Sequence, residues 1–300
     1  MTATAVREIA TRPRRADTGV HHDVLTLRCP QQSGIVNAVT AFLVEHGLDI
    51  EEHQQFDDRV SGTLFLRTAF TGRDEDTLDD LRRAFAKVVE RFSMDAQFHD
   101  ATPDRLLIMV SRLGHCLNDL IFRWRAGSLG AEIAVVASNH ETHRPMVEAA
   151  GLPFVHIPIP ADSKTEAEAR LEGLITAYDV DLVVMARYMQ VLSDGLCTRL
   201  DGRAINIHHS FLPGFKGARP YHQAYARGVK MVGATAHYVT PELDEGPIIE
   251  QEIIRVDHTF DPAALATVGR DAEALALSRA VRWHGQRRVL RNGSSTVIFR

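Results

Sequence analysis

The spacing of hydrophobic and polar positions changes several times along this 300-residue chain, and each change marks an element. From Val24 to Arg28, Leu25 and Leu27 share one side of a short run, after which Ile35, Val36, Val39, Phe42 and Leu43 recur at helical spacing up to Gly47. Strand side chains alternate between two faces, whereas helix positions three and four apart share one, so this stretch predicts a strand and then a helix. Ile50, Glu52, Gln54 and Phe56 alternate weakly, and Leu64, Leu66, Thr68 and Phe70 clearly, around the Ser61-Gly62 turn. That pattern predicts a hairpin. Leu78, Leu81, Phe85, Val88 and Phe92 outline a second helix, and Met94, Ala96 and Phe98 a further strand. The order βαββαβ over residues 21–100 is the ferredoxin-like one, an α+β domain of its own.

Asp100-Ala-Thr-Pro-Asp104 is polar and contains Pro103, and Leu106-Leu-Ile-Met-Val110 then opens a different pattern. A domain boundary is expected there, with a second domain over residues 105–300. Strand signals recur at Ile133–Ala137, Phe154–Ile157, Leu182–Met185, Ala204–Ile207 and Met231–Val239, most of them separated by segments long enough for helices. Near-continuous apolar runs alternating with helices predict a Rossmann-like α/β domain, its mostly parallel sheet covered on both faces. Pro262–Val289 reads as a long helix and Thr296–Phe299 as a late edge strand. Residues 1–20 carry Arg7, Arg12, Arg14 and Arg15, but Glu8, Pro13 and Asp17 interrupt the pattern of a targeting peptide, so a disordered, solvated tail is expected.

Composition narrows the class of function. With 45% hydrophobic and 24% charged residues the chain is ordinarily globular, and a formal net charge of -5 offers no electrostatic reason for a nucleic-acid partner. A small molecule is the expected partner. No apolar run approaches the ~18 residues of a membrane span, and a secretory signal is missing, so no membrane association is expected. Cys29, Cys116 and Cys197 are widely spaced and form no CxxC pair, which suggests neither a disulfide framework nor a thiolate zinc site and fits a reducing, cytoplasmic setting.

Open parallel sheets bind ligands at the carboxyl ends of their strands, so polar residues ending a strand carry the most information. In Ala204-Ile-Asn-Ile-His-His-Ser-Phe-Leu-Pro-Gly-Phe-Lys-Gly-Ala-Arg-Pro-Tyr221, Asn206 and His208 project together from the face opposite Ile205 and Ile207. Burying such groups costs about 1–3 kcal/mol each without partners, so the pair marks either a satisfied structural network or a site. Its place at a strand end, before a Gly- and Pro-rich loop, favours a site. A second polar cluster, Leu243-Asp-Glu-Gly-Pro-Ile248, follows the strand that ends at Val239. Asp244 is there either a solvated turn carboxylate or the third member of a hydrolytic set. In such a set the carboxylate orients or deprotonates water, the imidazolium stabilises charge and moves a proton, and the Asn amide donates to an oxyanion. His237, alternating with Thr235, is expected to support these residues from behind, and His209 to cap the following loop. His140 and His143 have HxxH spacing, but no carboxylate pair or cysteine stands near them in sequence, and no metal is expected.

The run Ile205-Asn-Ile-His-His-Ser-Phe-Leu-Pro213 resembles the active-site signature of the folate-dependent formyltransferase fold family. Ala234-Thr-Ala-His-Tyr-Val239 with Leu243-Asp-Glu-Gly-Pro-Ile-Ile249 resembles its second block, and the interval from Asn206 to Asp244, 244 − 206 = 38 residues, agrees with it. Within that family the chain is most similar to the formyltetrahydrofolate deformylases, which carry an ACT domain of βαββαβ order ahead of the formyltransferase-like domain. The resemblance runs from about residue 22 to the end. It implies hydrolysis of 10-formyltetrahydrofolate to tetrahydrofolate and formate, supplying formate for purine synthesis and balancing one-carbon folate pools, with the folate as substrate and no separate cofactor. It implies Asn206, His208 and Asp244 as the catalytic trio, Asp244 acting on water, His208 on the tetrahedral intermediate and on N10, and Asn206 on the oxyanion. Ala186-Arg-Tyr-Met-Gln-Val-Leu192 resembles the loop that lines the pterin pocket, which makes Arg187, Met189, Val191 and Leu192 substrate-binding candidates. Packing of these residues in the core at a helix start is the alternative. The ACT resemblance implies a homo-oligomer and an amino-acid effector near the Gly34 loop.

Two other readings stand beside this one. Glycinamide ribonucleotide formyltransferase shares the fold but passes the formyl group to an amine and needs a phosphate cradle after its first strand. Here that turn is Ser111-Arg-Leu-Gly-His-Cys-Leu-Asn118, with Gly114 its only glycine and His115 and Cys116 filling the position, so a cradle is poorly supported. An amino-acid-sensing protein with a degenerate catalytic domain is the third reading, and the intact trio argues against it.

Overall fold

A computed structural model describes residues 22–72, 77–160, 163–212 and 220–300. The tail expected at residues 1–20, and the part of the strand-end motif from Pro213 to Arg219, lie outside the described residues. The chain divides into two compact units, one holding the described residues up to Thr102 together with Phe299–Arg300, the other Pro103–Ile298.

The first unit runs β1 (Asp23–Pro30), α1 (Ile35–Glu45), β2 (Asp49–Asp58), β3 (Thr63–Thr71), α2 (Leu78–Phe92) and β4 (Asp95–His99). Its sheet has the order β2-β3-β1-β4, and every pair is antiparallel. Leu25, Leu27, Leu66 and Phe70 of the sheet share a core with Val39 and Leu43 of α1 and Leu81 and Phe85 of α2. This is the alternation and helical spacing of the sequence turned into one buried layer. A capping box starts α2, where Asp80 N–H bonds the Thr77 hydroxyl and Thr77 N–H bonds the Asp80 carboxylate, satisfying two backbone donors.

The second unit begins β5 (Asp104–Val110), α3 (His115–Arg125), β6 (Ala131–Ser138), α4 (Arg144–Ala149), β7 (Phe154–His156), α5 (Lys164–Ala177), β8 (Leu182–Met185) and α6 (Asp194–Arg199). It continues with β9 (Ala204–His208), α7 (Pro220–Ala226), β10 (Met231–Tyr238), β11 (Ile248–Arg255), α8 (Pro262–Gly285), β12 (Val289–Asn292) and β13 (Ser295–Ile298). The seven-stranded sheet has the order β11-β10-β9-β8-β5-β6-β7. Strands β7, β6, β5, β8 and β9 are parallel, and β10 is antiparallel to both β9 and β11. Separate apolar layers cover the two faces, one built on Leu106, Ile108, Ile205 and Ile207 with α3 and α8, the other on Leu107, Met109 and Val183 with Leu171 and Leu196. The strand order reverses between β5 and β8, which brings the loops after these strands side by side.

Four points of the sequence reading need correction here. The strand Ile248–Arg255 was not anticipated, because its Glu250, Gln251 and Glu252 mask an edge strand's apolar residues. Thr296–Phe299 is not an edge strand of the large sheet: β13 pairs with β12 in a two-stranded hairpin of its own, turned by Gly293 at φ 60°. The long helix stops at Gly285 and not at Val289, because Arg287 adopts a left-handed φ of 56°. That turn carries the Arg287 guanidinium onto Asp104, with Nη2 to Oδ1 at 2.5 Å and Nη1 to Oδ2 at 2.9 Å. Asp104, expected at the end of a polar linker, is thus a buried residue that starts β5 and ties the first strand of the sheet to the end of α8.

His284 belongs to the same corner, with Nδ1 2.8 Å from the Tyr238 hydroxyl and Nε2 3.8 Å from Asp104. Burial, and then the charge of Arg287, push its pKa down to about 3. A histidine depressed in the fold contributes stability that is complete above its unfolded pKa near 6.5 and is lost as pH falls from there towards 3. Urea denaturation is therefore expected to show lower stability at pH 5 than at pH 7, and His284→Asn to flatten that slope by up to one proton. An unchanged slope in the variant would remove His284 from the linkage.

Candidate active site

The register of β9 against β10 builds the site. Asn206 stands opposite His237 and His208 opposite Thr235, while Ile205, Ile207, Ala234 and Ala236 turn into the apolar layer behind. Four polar side chains therefore share one face of two adjacent strands. Thr235 is fully buried and anchors the chain beyond β9: its hydroxyl donates to the Ser210 carbonyl at 2.9 Å and accepts from Leu212 N–H at 3.2 Å and Gln251 Nε2 at 3.0 Å.

Asp244 reaches this face from the turn between β10 and β11. Its backbone is left-handed, at φ 57°, a region that Asp tolerates better than most residues. The turn closes with Tyr238 N–H bonded to the Pro247 carbonyl at 2.9 Å, and it passes so near β10 that a Cβ on Gly246 would lie 1.8 Å from the Tyr238 carbonyl oxygen. Asp244 Oδ2 receives His208 Nδ1 at 3.1 Å. Its other oxygen faces Asn206 Nδ2 at 3.5 Å and His237 Nε2 at 3.6 Å, contacts too long to be strong hydrogen bonds. The hydrogen bond from His208, then the approach of His237, hold the Asp244 carboxyl well below the usual carboxylate range against the opposing effect of burial. Asp244 is thus ionised throughout the neutral range. His208 Nε2 meets the Ser210 hydroxyl at 2.9 Å. His237 Nδ1–H donates to the Tyr238 carbonyl at 2.8 Å, which turns Nε2 towards Asp244 and Asn206.

The four residues expected to contact substrate go to three different places. Met189 and Val191 are each 59% exposed beside the end of β8, whereas Leu192 is buried with Tyr188 and Leu196 in the apolar layer. The segment is a loop and not a helix start, since α6 begins at Asp194. Ser111 holds it to β5, donating its backbone N–H to the Arg187 carbonyl at 3.2 Å and accepting Met189 N–H at its hydroxyl at 2.9 Å. Arg187, left-handed at φ 63°, points inward: Nη1 lies 2.7 Å from His209 Nδ1 and Nε 3.3 Å from Glu273 Oε2. His209 accordingly accepts from Arg187 and stacks on His208 at 4.9 Å between ring centroids.

Among the described residues, one group has the composition of a metal site: His115, Cys116 and Glu273. His115 Nε2 already bonds Glu273 Oε2 at 2.8 Å, and the same oxygen faces the Arg187 guanidinium, so a cation there would meet a fixed positive charge. The arrangement is a hydrogen-bonded hub. His143 Nε2 bonds the Arg112 carbonyl at 3.1 Å, and neither it nor His140 belongs to the metal-type group. Glu273 was missed from the sequence although a signal exists: Leu265, Gly269, Ala272, Ala276, Leu277 and Ala280 mark the buried stripe of α8, and Glu273 falls on it. A carboxylate in an apolar stripe needs partners, and its Oε1 accepts the Tyr221 hydroxyl at 2.9 Å.

Gly246→Ala is expected to force the Asp244 turn away from β10, lowering stability by about 1–3 kcal/mol and breaking the His208–Asp244 bond. Thermal unfolding and the His208 ring nitrogen resonances would read both effects; wild-type values would mean that the Tyr238 carbonyl can withdraw freely.

Comparison with known proteins supplies the family. Residues 104–281 match the formyl transferase family model. The formyltetrahydrofolate deformylase of Corynebacterium sp. (strain P-1) is 56% identical over 279 residues, 92% of this chain and 98% of that protein. The crystal structure of formyltetrahydrofolate deformylase from Burkholderia mallei ATCC 23344 superposes with a TM-score of 0.88 at 51% identity, covering 93% of this chain and all (100%) of that one. Glycinamide ribonucleotide transformylase 1 from Symbiobacterium toebii is similar over less of the molecule, with a TM-score of 0.62 at 31% identity over 66% of this chain and 95% of that one. Matched along nearly its whole length, the chain belongs to the formyltetrahydrofolate deformylase family.

Proposed function

We propose that the chain hydrolyses 10-formyltetrahydrofolate to tetrahydrofolate and formate, with Asp244, His208 and Asn206 as the catalytic residues. The observation that carries the assignment of roles is the 3.1 Å pair between His208 Nδ1 and the ionised Asp244, set beside the Asn206 amide on one polar face. A carboxylate held so low is a weak base for free water, so its first task is orientation. As the water oxygen bonds to the formyl carbon its proton becomes acidic, and the Asp244–His208 pair takes it up. The oxyanion forms within reach of Asn206 Nδ2, whose present contacts at 3.4 and 3.5 Å are weak enough to be exchanged for a stronger one. The imidazolium of His208 opposes the developing negative charge and passes a proton to N10 as the C–N10 bond breaks. No cofactor is invoked, the folate being the substrate. Met189 and Val191, apolar and exposed beside the strand-order reversal, are the substrate contacts this reading retains.

Water as acceptor is supported by the turn after β5. A Cβ on Gly114 would meet the His143 ring at 2.4 Å, His115 is committed to Glu273, and Cys116 is buried, so these side chains fill the place where a phosphate cradle would be needed. An assembled trio also argues against a degenerate, purely sensory protein. Among the described residues no helix is long and apolar enough to cross a membrane, and the three buried cysteines are free, which suits the cytoplasmic setting proposed for the enzyme.

The βαββαβ unit is read as an ACT-type domain that forms homo-oligomers and binds a small amino acid. Its support is the 2-3-1-4 strand order and the left-handed Gly34, at φ 92°, just ahead of α1. Calorimetry with glycine, serine and methionine is expected to give heat with one of them; no heat with any would leave the unit an assembling role only.

Asp244→Asn keeps the side-chain shape and tolerates the left-handed backbone, so it is expected to bind folate within about two-fold of wild type while formate release falls by about a thousand-fold or more. Normal turnover in this variant would remove Asp244 from the reaction. Adding glycinamide ribonucleotide is expected to leave formate release unchanged, and formylated amine appearing faster than formate would make the chain a transferase.

A further inference from the structure

Behind the catalytic face lies a line of charged and polar groups that the hydrolytic steps do not use. Glu273, 1% exposed on α8, accepts from His115 Nε2 and the Tyr221 hydroxyl and lies 3.3 Å from Arg187 Nε. Arg187 in turn reaches His209 Nδ1 at 2.7 Å. A guanidinium has donors only, so His209 Nδ1 must accept and the ring proton sits on Nε2. His209 lies face to face with His208, the rings 25° from parallel. Gly269 makes room for this arrangement, since a Cβ there would stand 2.0 Å from the Tyr221 hydroxyl.

We infer that Glu273 is a positioning residue for the hydrolytic site: through Arg187 it fixes His209 as the neutral Nε2–H tautomer stacked on His208, so that the imidazolium His208 forms in turnover meets no like charge from its neighbour. Without Glu273 the Arg187 charge stands uncompensated behind both histidines. The groups facing the pair are Asp244 and His237 from the β10 side, Ser210 beyond β9, Arg187 after β8, and Glu273, His115 and Tyr221 behind Arg187. Burial, then Arg187 and His208, push His209 down to about 4, in keeping with a ring that stays neutral while His208 cycles. Glu273 itself is opposed by burial but is held below its usual range by the His115 hydrogen bond and the Arg187 charge, so it is ionised and able to compensate Arg187.

The inference rests on the hydrolytic reading above, and its test separates the two. In ¹⁵N-histidine spectra, with His209 identified by loss of its signals in His209→Gln, wild-type His209 is expected to carry its proton on Nε2 and not to titrate between about pH 5 and 8. Arg187→Gln is expected to bring the His209 titration into that window. Glu273→Gln is expected to move the acidic limb of the kcat profile for formate release down by about half a pH unit or more, because an uncompensated Arg187 disfavours protonation of a His208 that must start neutral, with KM changed less than about two-fold. A His209 that titrates in the wild type, carries its proton on Nδ1, or is unmoved in Arg187→Gln overturns the inference. So does a folded Glu273→Gln that loses kcat equally at every pH or not at all. If the wild type releases no formate the hydrolytic reading fails, while the ring spectra still decide the state of His209.

Discussion

The antiparallel pairing of β10 with β9 is the constraint on which the rest of the molecule turns. With Thr235 opposite His208 and His237 opposite Asn206, the period of two in a strand obliges these four polar side chains to occupy one face and the alternating Ile and Ala residues the other. A slip of one residue would bury the polar set in the apolar layer beneath α8 and expose Ile205 and Ile207. The register is therefore held from both sides, by apolar burial behind and by the hydrogen bonds of Thr235, His208 and His237 in front. Each buried polar group would cost about 1–3 kcal/mol without a partner; Thr235, His208 and His237 each have one, and only the part-buried Asn206 amide is held by long contacts, which keeps the polar face compatible with a stable sheet.

Electrostatics then separates the roles on that face. Asp244 is anchored in a left-handed turn and is kept ionised by two histidines, so its charge is a fixed feature of the site. His208 stands between this anion and the stacked, depressed His209, and the proposed hydrolysis calls for charge to appear on His208 alone. The long contacts of Asn206 leave its amide available to a forming oxyanion. A site with one permanent anion, one mobile proton and one uncommitted donor suits attack by water on an amide-like carbonyl. The same parts would serve transfer to an amine, and we propose that the choice of acceptor lies elsewhere, in the turn after β5 filled by His115 and Cys116.

Much of this was legible in the sequence because strand alternation is a local property. Asn206 and His208 sharing a face followed from spacing alone, whereas their proximity to Asp244 came from family resemblance, since it stands 38 positions beyond Asn206 with α7 and β10 between them. The inward course of Arg187 was not legible, because a left-handed backbone at a non-glycine residue leaves no mark on hydrophobic pattern, and Leu192 could not be told from its exposed neighbours for the same reason. Glu273 could have been found, as a carboxylate on the buried stripe of α8, had that stripe been read residue by residue. The short hairpin near the C-terminus carried a signal too: Gly293 at the first central position of a two-residue turn is the usual chemistry for such a loop. Asp104 was read as linker because polarity at a strand start looks the same whether solvent or an arginine meets it.

The central claim is that water, held by Asp244 and His208, attacks the formyl carbon directly. Turnover of 10-formyltetrahydrofolate in ¹⁸O-enriched water, with the formate analysed by mass spectrometry, tests it without any variant. The account predicts formate bearing one heavy oxygen atom per turnover, as hydrolysis of a single C–N bond requires. Formate with no heavy oxygen, or a formyl group recovered on an amine, would contradict it.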